Sequence, residues 1–348
     1  MTPTVSILLL NFNGKSFLKD CIESVLAQSY QDFEIIFVDN SSVDGSLEYV
    51  RETFKSDKLI IQATESNLGF AGGNNFALKY ASGSFIVLLN NDTVVEKDWL
   101  KYLVETIQSD ERIGIVQSLV YTEGIPGKYY LKNGTINLFG HNIMEVFEIS
   151  DNGIGEIIQA TGCSLIVRKD LLDKTGGLFH DEYFLYAEDT FLSLKAKFCG
   201  LKILHTSKSV VHHIGSGTTK NHIPSEIYFY QERNRLLNFL LFFNTSFIIK
   251  YIPLLASNFK LKFFYCIFSG KYSFKGLFRA YFWLIKNIGW IKKQRKIISK
   301  YKSVSDNEVL KYISCKYFNG NNIFERIVNS LFLFYCKITR LKVLENAK

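Results

Sequence analysis

An apolar run in FIVLLNNDT, residues 85 to 93, ends in two amides and a carboxylate, Asn90, Asn91 and Asp92. Oxygen donors of this kind hold a hard cation or bind the hydroxyls of a sugar. Phe85 to Leu89 reads as a strand buried on both faces, because a continuous β-rich apolar run fits the middle of a parallel sheet. An Asp at its carboxyl end stands where open α/β sheets place ligands. The same Asp also suits the N-cap of a helix beginning near Val95. Two further groups stand out. Glu188 and Asp189 are sequence neighbours whose side chains diverge, which counts against the close acid/nucleophile pair of a retaining glycosidase. His212 and His213 adjoin on an expected strand and point to opposite faces, so at most one readily faces a metal.

The elements that must position these groups follow from hydropathy. VSILLLNFN, residues 5 to 13, reads as a buried strand breaking at Asn11 and Asn13, and Lys15 to Ser29 has helical spacing. Phe33 to Val38 is the second strand, ending in Asp39-Asn40-Ser41-Ser42, and this βαβ unit implies a parallel sheet. A helix over Leu47 to Phe54, a short strand over Leu59 to Ala63 and a helix over Asn74 to Tyr80 lead to the strand at Phe85. Three strands thus end in Asn or Asp. One polar strand end is usually a cap, but three at successive carboxyl ends are better explained by a ligand cleft.

Further on, Ile113 to Tyr121 reads as a strand and 122 to 156 as loop and hairpin. Residues 160 to 172 read as a strand entering a helix, and 201 to 219 as a strand followed by a Gly/Ser/Thr loop. The glycines of NLGFAGGNN, at 69, 72 and 73, fit neither GxGxxG at a first βα turn nor GxxxxGK[ST]. A dinucleotide-binding domain and a P-loop NTPase are disfavoured on that grammar. Those glycines either admit a ligand close to backbone or cap a turn.

The 348 residues carry a formal charge of +8, unevenly spread. Residues 1 to 229 hold 19 Lys+Arg against 28 Asp+Glu, and residues 230 to 348 hold 22 against 5, so −9 is followed by +17. Such a split suggests an acidic catalytic part and a basic part with a different partner. Six cysteines without CxxC spacing favour neither a disulfide framework nor a zinc finger. With no basic n-region or cleavage site before VSILLL, a cytoplasmic compartment is expected.

Taken together and in order, VSILLLNFN, VDNSSVDGS, NLGFAGGNNFAL and LLNNDT resemble the inverting GT-A glycosyltransferases of family 2, within the bacterial rhamnosyltransferase-like branch of cell-surface polysaccharide synthesis. The likeness extends over about residues 4 to 240, where GGLFHDEYFLYAEDTF resembles that family's GGFDE…ED segment and ATGCSLIV its small-residue acceptor strand. The resemblance implies an α/β GT-A fold, a Rossmann-like, mostly parallel sheet flanked by helices, over residues 1 to 225, then a helical region over 226 to 348. It implies Asp189 as catalytic base and Asp92 as ligand of a divalent cation, Mg²⁺ or Mn²⁺, with a histidine beside it, His212 preferred and His213 in reserve. Asn11, Asp39, Asn67, Asn90, Asn91, Gly162 and Glu188 would contact substrate. Two departures are visible. His180 precedes Asp181-Glu182, and the arginine common after the ED pair is absent, leaving Lys195 or Lys197 as the nearest cations.

Such an enzyme would take a nucleotide-sugar donor, dTDP-rhamnose-like or a UDP-sugar, and a glycan or lipid-linked acceptor. The rival readings are a nucleotidyltransferase, for which Lys15 would have to be poised on an α-phosphate, and a non-catalytic glycan- or membrane-binding scaffold. In the basic part, Leu236 to Phe268 is apolar but interrupted by Lys250, Pro253, Lys260 and Lys262, so a spanning helix is not expected. Aromatic-plus-lysine segments such as LFRAYFWLIKNIGWIKKQRK fit an interfacial helix on an anionic membrane surface, placing the protein peripherally on the cytoplasmic face. Nucleic acid is not an expected partner, since no recognition motif accompanies the charge.

Overall fold

The computed structural model describes residues 2–122, 135–143, 153–214, 223–269, 272–320 and 322–346. The chain forms two compact units, the first made of residues 1–132, 145–184 and 201–216 and the second of 133–144, 185–200 and 217–348.

The first unit begins with β1 (Val5–Asn11), α1 (Lys15–Leu26), β2 (Phe33–Asp39), α2 (Ser46–Thr53), β3 (Leu59–Ala63), α3 (Gly69–Leu78) and β4 (Phe85–Asn90). β5 (Thr93–Val95), α4 (Trp99–Gln108) and β6 (Ile113–Thr122) follow. Among the described residues, β7 (Thr135–Ile136) and β8 (Asn142–Ile143) pair as a hairpin that belongs to the second unit. β9 (Ile154–Glu156), β10 (Ser164–Arg168) and α5 (Lys169–Thr175) return to the first. α6 (Glu188–Phe198) lies in the second unit, and β11 (Lys202–His213) closes the first.

One sheet runs in the order β3-β2-β1-β4-β10-β6-β11-β5, with β9 also paired to β11. β3, β2, β1 and β4 are parallel, as βα crossovers require. From β10 onward the sheet is mixed, with antiparallel pairs β4–β10, β10–β6 and β11–β5. Ile7, Leu9, Phe37, Val87 and Leu89 on one face and Leu8, Ile36 and Leu88 on the other are fully or almost fully buried, so both faces of the central strands are covered. Trp99 ties the mixed half together: its indole N–H reaches Ser118 Oγ at 3.0 Å and Ser164 Oγ at 2.9 Å, and its carbonyl accepts from Ser209 Oγ. These bonds satisfy polar atoms that would otherwise be buried at a cost.

Two local expectations are corrected. α3 begins at Gly69, taking the glycine stretch into the helix: Gly69 turns the chain into it at φ +70°, and Gly73 lets the helix pack directly on Leu10 of β1. No helix starts near Val95; β5 leaves Asp92 to pair with the edge of β11. The loop expected over 215–219 lies outside the described residues.

In the second unit, α7 (Ser225–Phe242), α8 (Thr245–Ser269), α9 (Phe274–Lys286), α10 (Ile288–Ile298), α11 (Asp306–Leu310) and α12 (Ile323–Ile338) follow in turn. Phe239, Phe243, Phe247 and Tyr251 stack successively where α7 meets α8. Among the described residues no helix is long and apolar enough to cross a membrane.

Candidate active site

In the first unit, register alone brings three strand ends together: Asn11 is opposite Asp39, and Leu10 is opposite Asn90. The side chains then lock. Asn11 Nδ2 donates to Asp39 Oδ1 at 3.0 Å and to Ser42 Oγ at 3.1 Å, while Asn11 Oδ1 accepts from Asn91 Nδ2 at 2.7 Å. Asp39 Oδ2 accepts the Ser42 N–H at 2.9 Å. Asn11 and Asp39 are almost entirely buried, so this carboxylate is oriented by donors and keeps lone pairs for a hydroxyl or a base edge. Gly14 has no room for a side chain: a Cβ there would strike Asn91 Nδ2 and Asn11 Oδ1.

Asn67 joins through a residue that the sequence did not single out. Asn40 Nδ2 donates to Asn67 Oδ1 at 3.0 Å and to the Gly69 carbonyl at 3.2 Å, and its Oδ1 accepts the Leu68 N–H at 2.9 Å. Asn40 therefore fixes the entrance to α3; its signal was the amide directly after Asp39.

Asn90 is held by its backbone. Its N–H donates to the Cys163 carbonyl at 3.0 Å, and its carbonyl accepts from Thr93 Oγ1 at 2.6 Å. The Cys21 thiol also donates to that carbonyl, and burial pushes its pKa up to about 12, so it stays a donor rather than a nucleophile. Gly162 stands immediately before Cys163, at the start of the strand that runs antiparallel to β4.

Asp92 is not a helix cap. The Ile214 N–H donates to its carbonyl at 2.9 Å, and β5–β11 pairing sets His213 opposite Thr93. His213 Nε2 lies 3.1 Å from Asp92 Oδ1, and that buried oxygen has no hydrogen-bond partner among the described residues. Of the two histidines, His213 is thus the one beside Asp92. His212 faces the other way, 3.1 Å from Glu96 Oε1 and stacked on Tyr121. Lys15, which a nucleotidyltransferase would need on a phosphate, lies over the Tyr49 ring at 5.7 Å.

A divalent cation is implied at Asp92, and the residues present fit one sparingly. An orphaned, buried carboxylate oxygen and a neighbouring imidazole nitrogen are two donors, and phosphate oxygens and water are the usual remainder for Mg²⁺ or Mn²⁺. Among the described residues, no group of three or more His, Cys, Asp or Glu side chains forms a cation cage.

Glu188 and Asp189 open α6 in the second unit. Two residues in the left-handed region precede them, Tyr186 at φ +71° and Ala187 at φ +61°. Such residues cost about 1–2 kcal/mol each unless the surroundings enforce them. Here α7 enforces them. Asn234 Nδ2 donates to the Leu185 and Tyr186 carbonyls at 3.0 and 2.9 Å, and Asn238 Nδ2 donates to the Ala187 carbonyl at 2.9 Å. Arg233 Nε in turn donates to Asn234 Oδ1 at 2.8 Å, its guanidinium lying over Phe229 and Trp283.

Asp189 Oδ1 accepts the Thr190 N–H at 2.7 Å in the first helical turn, where backbone donors favour negative charge. Glu188 is buried, its Oε2 without a hydrogen-bond partner among the described residues, and burial plus the neighbouring Asp189 carboxylate raise its pKa well above the ordinary range. Lys195 and Lys197 are buried as well, Lys195 over Phe191 with its amine pushed down to about 7 by burial, and Lys197 over Tyr312.

The raised Glu188 pKa sets a pH dependence. The fold favours the neutral acid, so this contribution is greatest at low pH and is lost as pH rises from about 5, where an unfolded glutamate already ionises. Glu188→Gln, neutral at every pH, is expected to flatten the fall in Tm between about pH 5 and 8. Parallel Tm–pH curves for the two proteins would contradict it.

A protein of known structure shares this architecture. The crystal structure of GalNAc-T7 with UDP, GalNAc and Mn²⁺ superposes with a TM-score of 0.58 at 18% identity, covering 69% of this chain and 48% of that one. The fold is thus GT-A-like, followed by a helical region. Residues 6–176 match the model of glycosyl transferase family 2. It is 27% identical over 237 residues to the O-antigen biosynthesis protein RfbC of Myxococcus xanthus, covering 65% of this chain and 18% of that protein. It is also 29% identical over 112 residues to the poly-beta-1,6-N-acetyl-D-glucosamine synthase of Staphylococcus aureus, covering 32% and 27%. The chain spans under a third of the length of both these relatives.

Proposed function

We propose that the chain is an inverting, metal-dependent glycosyltransferase of the hexosyl or deoxyhexosyl kind, acting in cell-surface polysaccharide synthesis. It moves a sugar from a nucleotide-diphosphate donor, dTDP-rhamnose-like or a UDP-sugar, to a hydroxyl of a glycan or lipid-linked acceptor. It works peripherally at the cytoplasmic face of the membrane. The observation that carries the donor half is the buried Asn11–Asp39–Asn91 network beside Asp92 and His213. It supplies oriented oxygens for a nucleoside and a sparse cation site for a diphosphate.

Asp39 and Asn11 bind the nucleoside, Asn67, Asn90 and Asn91 bind donor hydroxyls, and Gly162 leaves space for acceptor. Asp92 and His213 hold a divalent cation that, when bound, stabilises negative charge on the diphosphate leaving group. The Asp189 carboxylate takes the acceptor hydroxyl's proton as its oxygen bonds to the anomeric carbon, and the bond from that carbon to the diphosphate breaks with inversion. Glu188, kept neutral by burial, limits that helix end to one negative side chain and orients the acceptor.

Thermal shift of the purified chain against dTDP- and UDP-sugars, with and without Mn²⁺ or Mg²⁺, tests the reading. A cognate donor should raise Tm only when the cation is present, and Asp92→Asn should abolish that dependence. Donor binding that is equally strong without metal would remove Asp92 and His213 as cation ligands.

A further inference from the structure

We propose that the exposed apolar stripes of α8, α9 and α12, with the lysines beside them, form a monotopic docking surface for an anionic lipid bilayer. This deepens the peripheral placement proposed above, and it stands on the surface of the second unit alone, independent of sugar transfer. Of the 24 large apolar residues exposed among the described residues, 18 lie between Ile249 and Leu344, so the exposure is concentrated rather than scattered.

The exposure is also periodic. On α8, Ile249, Ile252, Phe264, Ile267 and Phe268 follow one helix face, while Phe247, Tyr251, Leu254 and Cys266 are buried on the other. On α9, Phe278, Phe282 and Ile285 face outward, and Leu277, Ala280 and Leu284 face inward. On α12, Ile323, Ile327, Leu331, Phe334 and Ile338 repeat at three- and four-residue spacing, opposite Phe332 and Cys336. Exposure reaches 81% at Phe268, 72% at Ile285 and 78% at Ile323, so these are not grazing contacts.

The stripes adjoin. Phe263, next to Phe264 on α8, packs on Phe274 and Phe278 of α9, and Tyr335 of α12 donates its hydroxyl to the Lys250 carbonyl of α8 at 2.8 Å. Each helix is committed to protein on one side and bare on the other. Such helices lie in a bilayer interface with the apolar face inserted, rather than crossing it.

Charge selects the occupant. Lys260 on α8, Lys275 and Lys286 on α9, and Lys292, Lys293 and Lys296 on α10 are exposed, within a region whose balance is +17. Protein interfaces deplete lysine. Lysines beside Phe and Ile instead suit acyl chains below anionic headgroups, with attraction that salt weakens.

Co-sedimentation of the full chain with vesicles tests this. Binding is expected to phosphatidylcholine vesicles containing phosphatidylglycerol, to be weak on phosphatidylcholine alone, and to fall as salt rises. The triple variant Phe268→Ser, Phe282→Ser, Phe334→Ser should lower partitioning by roughly tenfold or more, because three inserted rings are lost from exposed positions. Lys292→Glu with Lys293→Glu should weaken binding to the anionic vesicles only. Unchanged partitioning of both variants would overturn the proposal. So would a dimer in analytical ultracentrifugation that the triple variant dissociates, which would make the face a self-interface. Donor thermal shifts on the same preparations report the glycosyltransferase reading separately, so either can fail without the other.

Discussion

Asp189→Asn is expected to lower kcat for sugar transfer by roughly 10²–10⁴-fold, the range supplied by a positioned general base. Asparagine keeps the shape and the Oδ1 that accepts the Thr190 N–H at 2.7 Å, so the start of α6 has no reason to rearrange. What it loses is basicity, because an amide cannot take the acceptor proton. Tm and donor binding should therefore stay close to the parent's, with the loss confined to turnover. Glu188→Gln provides the contrast. Since the parent residue is already held neutral by burial, the amide copies its charge, and the proposal expects far milder loss from it than from Asp189→Asn. Progress curves with the cognate donor decide the matter: undiminished turnover by Asp189→Asn, or equal losses in the two variants, would remove Asp189 as the base.

How much of this was legible in the sequence differs from one residue to the next. β1, β2 and β4 were readable because strands covered on both faces must be apolar from end to end, and their polar last residues then had to meet. The helical character of residues 69 to 73 was not, because glycine's usual signal is a turn; here it marks close packing against Leu10. The two-residue alternation of a strand showed that only one of His212 and His213 turns to Asp92, but not which. β11 shifts register between Thr206 and Val210, so inside and outside cannot be counted through it from its buried first half. Nor could local pattern reveal that residues 185–200 fold with the C-terminal helices, since that grouping depends on contacts with α7 some forty to fifty residues later in the chain. The unpartnered stripes were half visible: composition gave the basic, aromatic character, while the core fixed which side of each helix stayed bare.

Asn234 shows how such a distant contact governs the site. Its one amide nitrogen serves two carbonyls of a backbone run that places two consecutive non-glycine residues in the left-handed region just before Glu188 and Asp189. Asn234→Ala removes both donations, to carbonyls of the half-buried Leu185 and the exposed Tyr186, and each lost hydrogen bond costs about 0.5–1.5 kcal/mol. It also strips the partner from Arg233 Nε. The expected destabilisation is therefore about 1–3 kcal/mol, enough to lower Tm by roughly 2–4 °C in a chain of this size. A purely structural role would stop there. Because the released run is the one that aims the start of α6, kcat should fall by a further roughly tenfold or more at temperatures where the variant is fully folded, with donor KM nearly unchanged. Asn238→Ala, which removes one of two donors to the Ala187 carbonyl and leaves it the Phe191 N–H, should show a weaker version of the same split. Circular dichroism establishes the folded temperature range and steady-state kinetics within it give the split. A variant that loses stability but keeps its parent's kcat would show that Asn234 holds the helix without positioning Asp189.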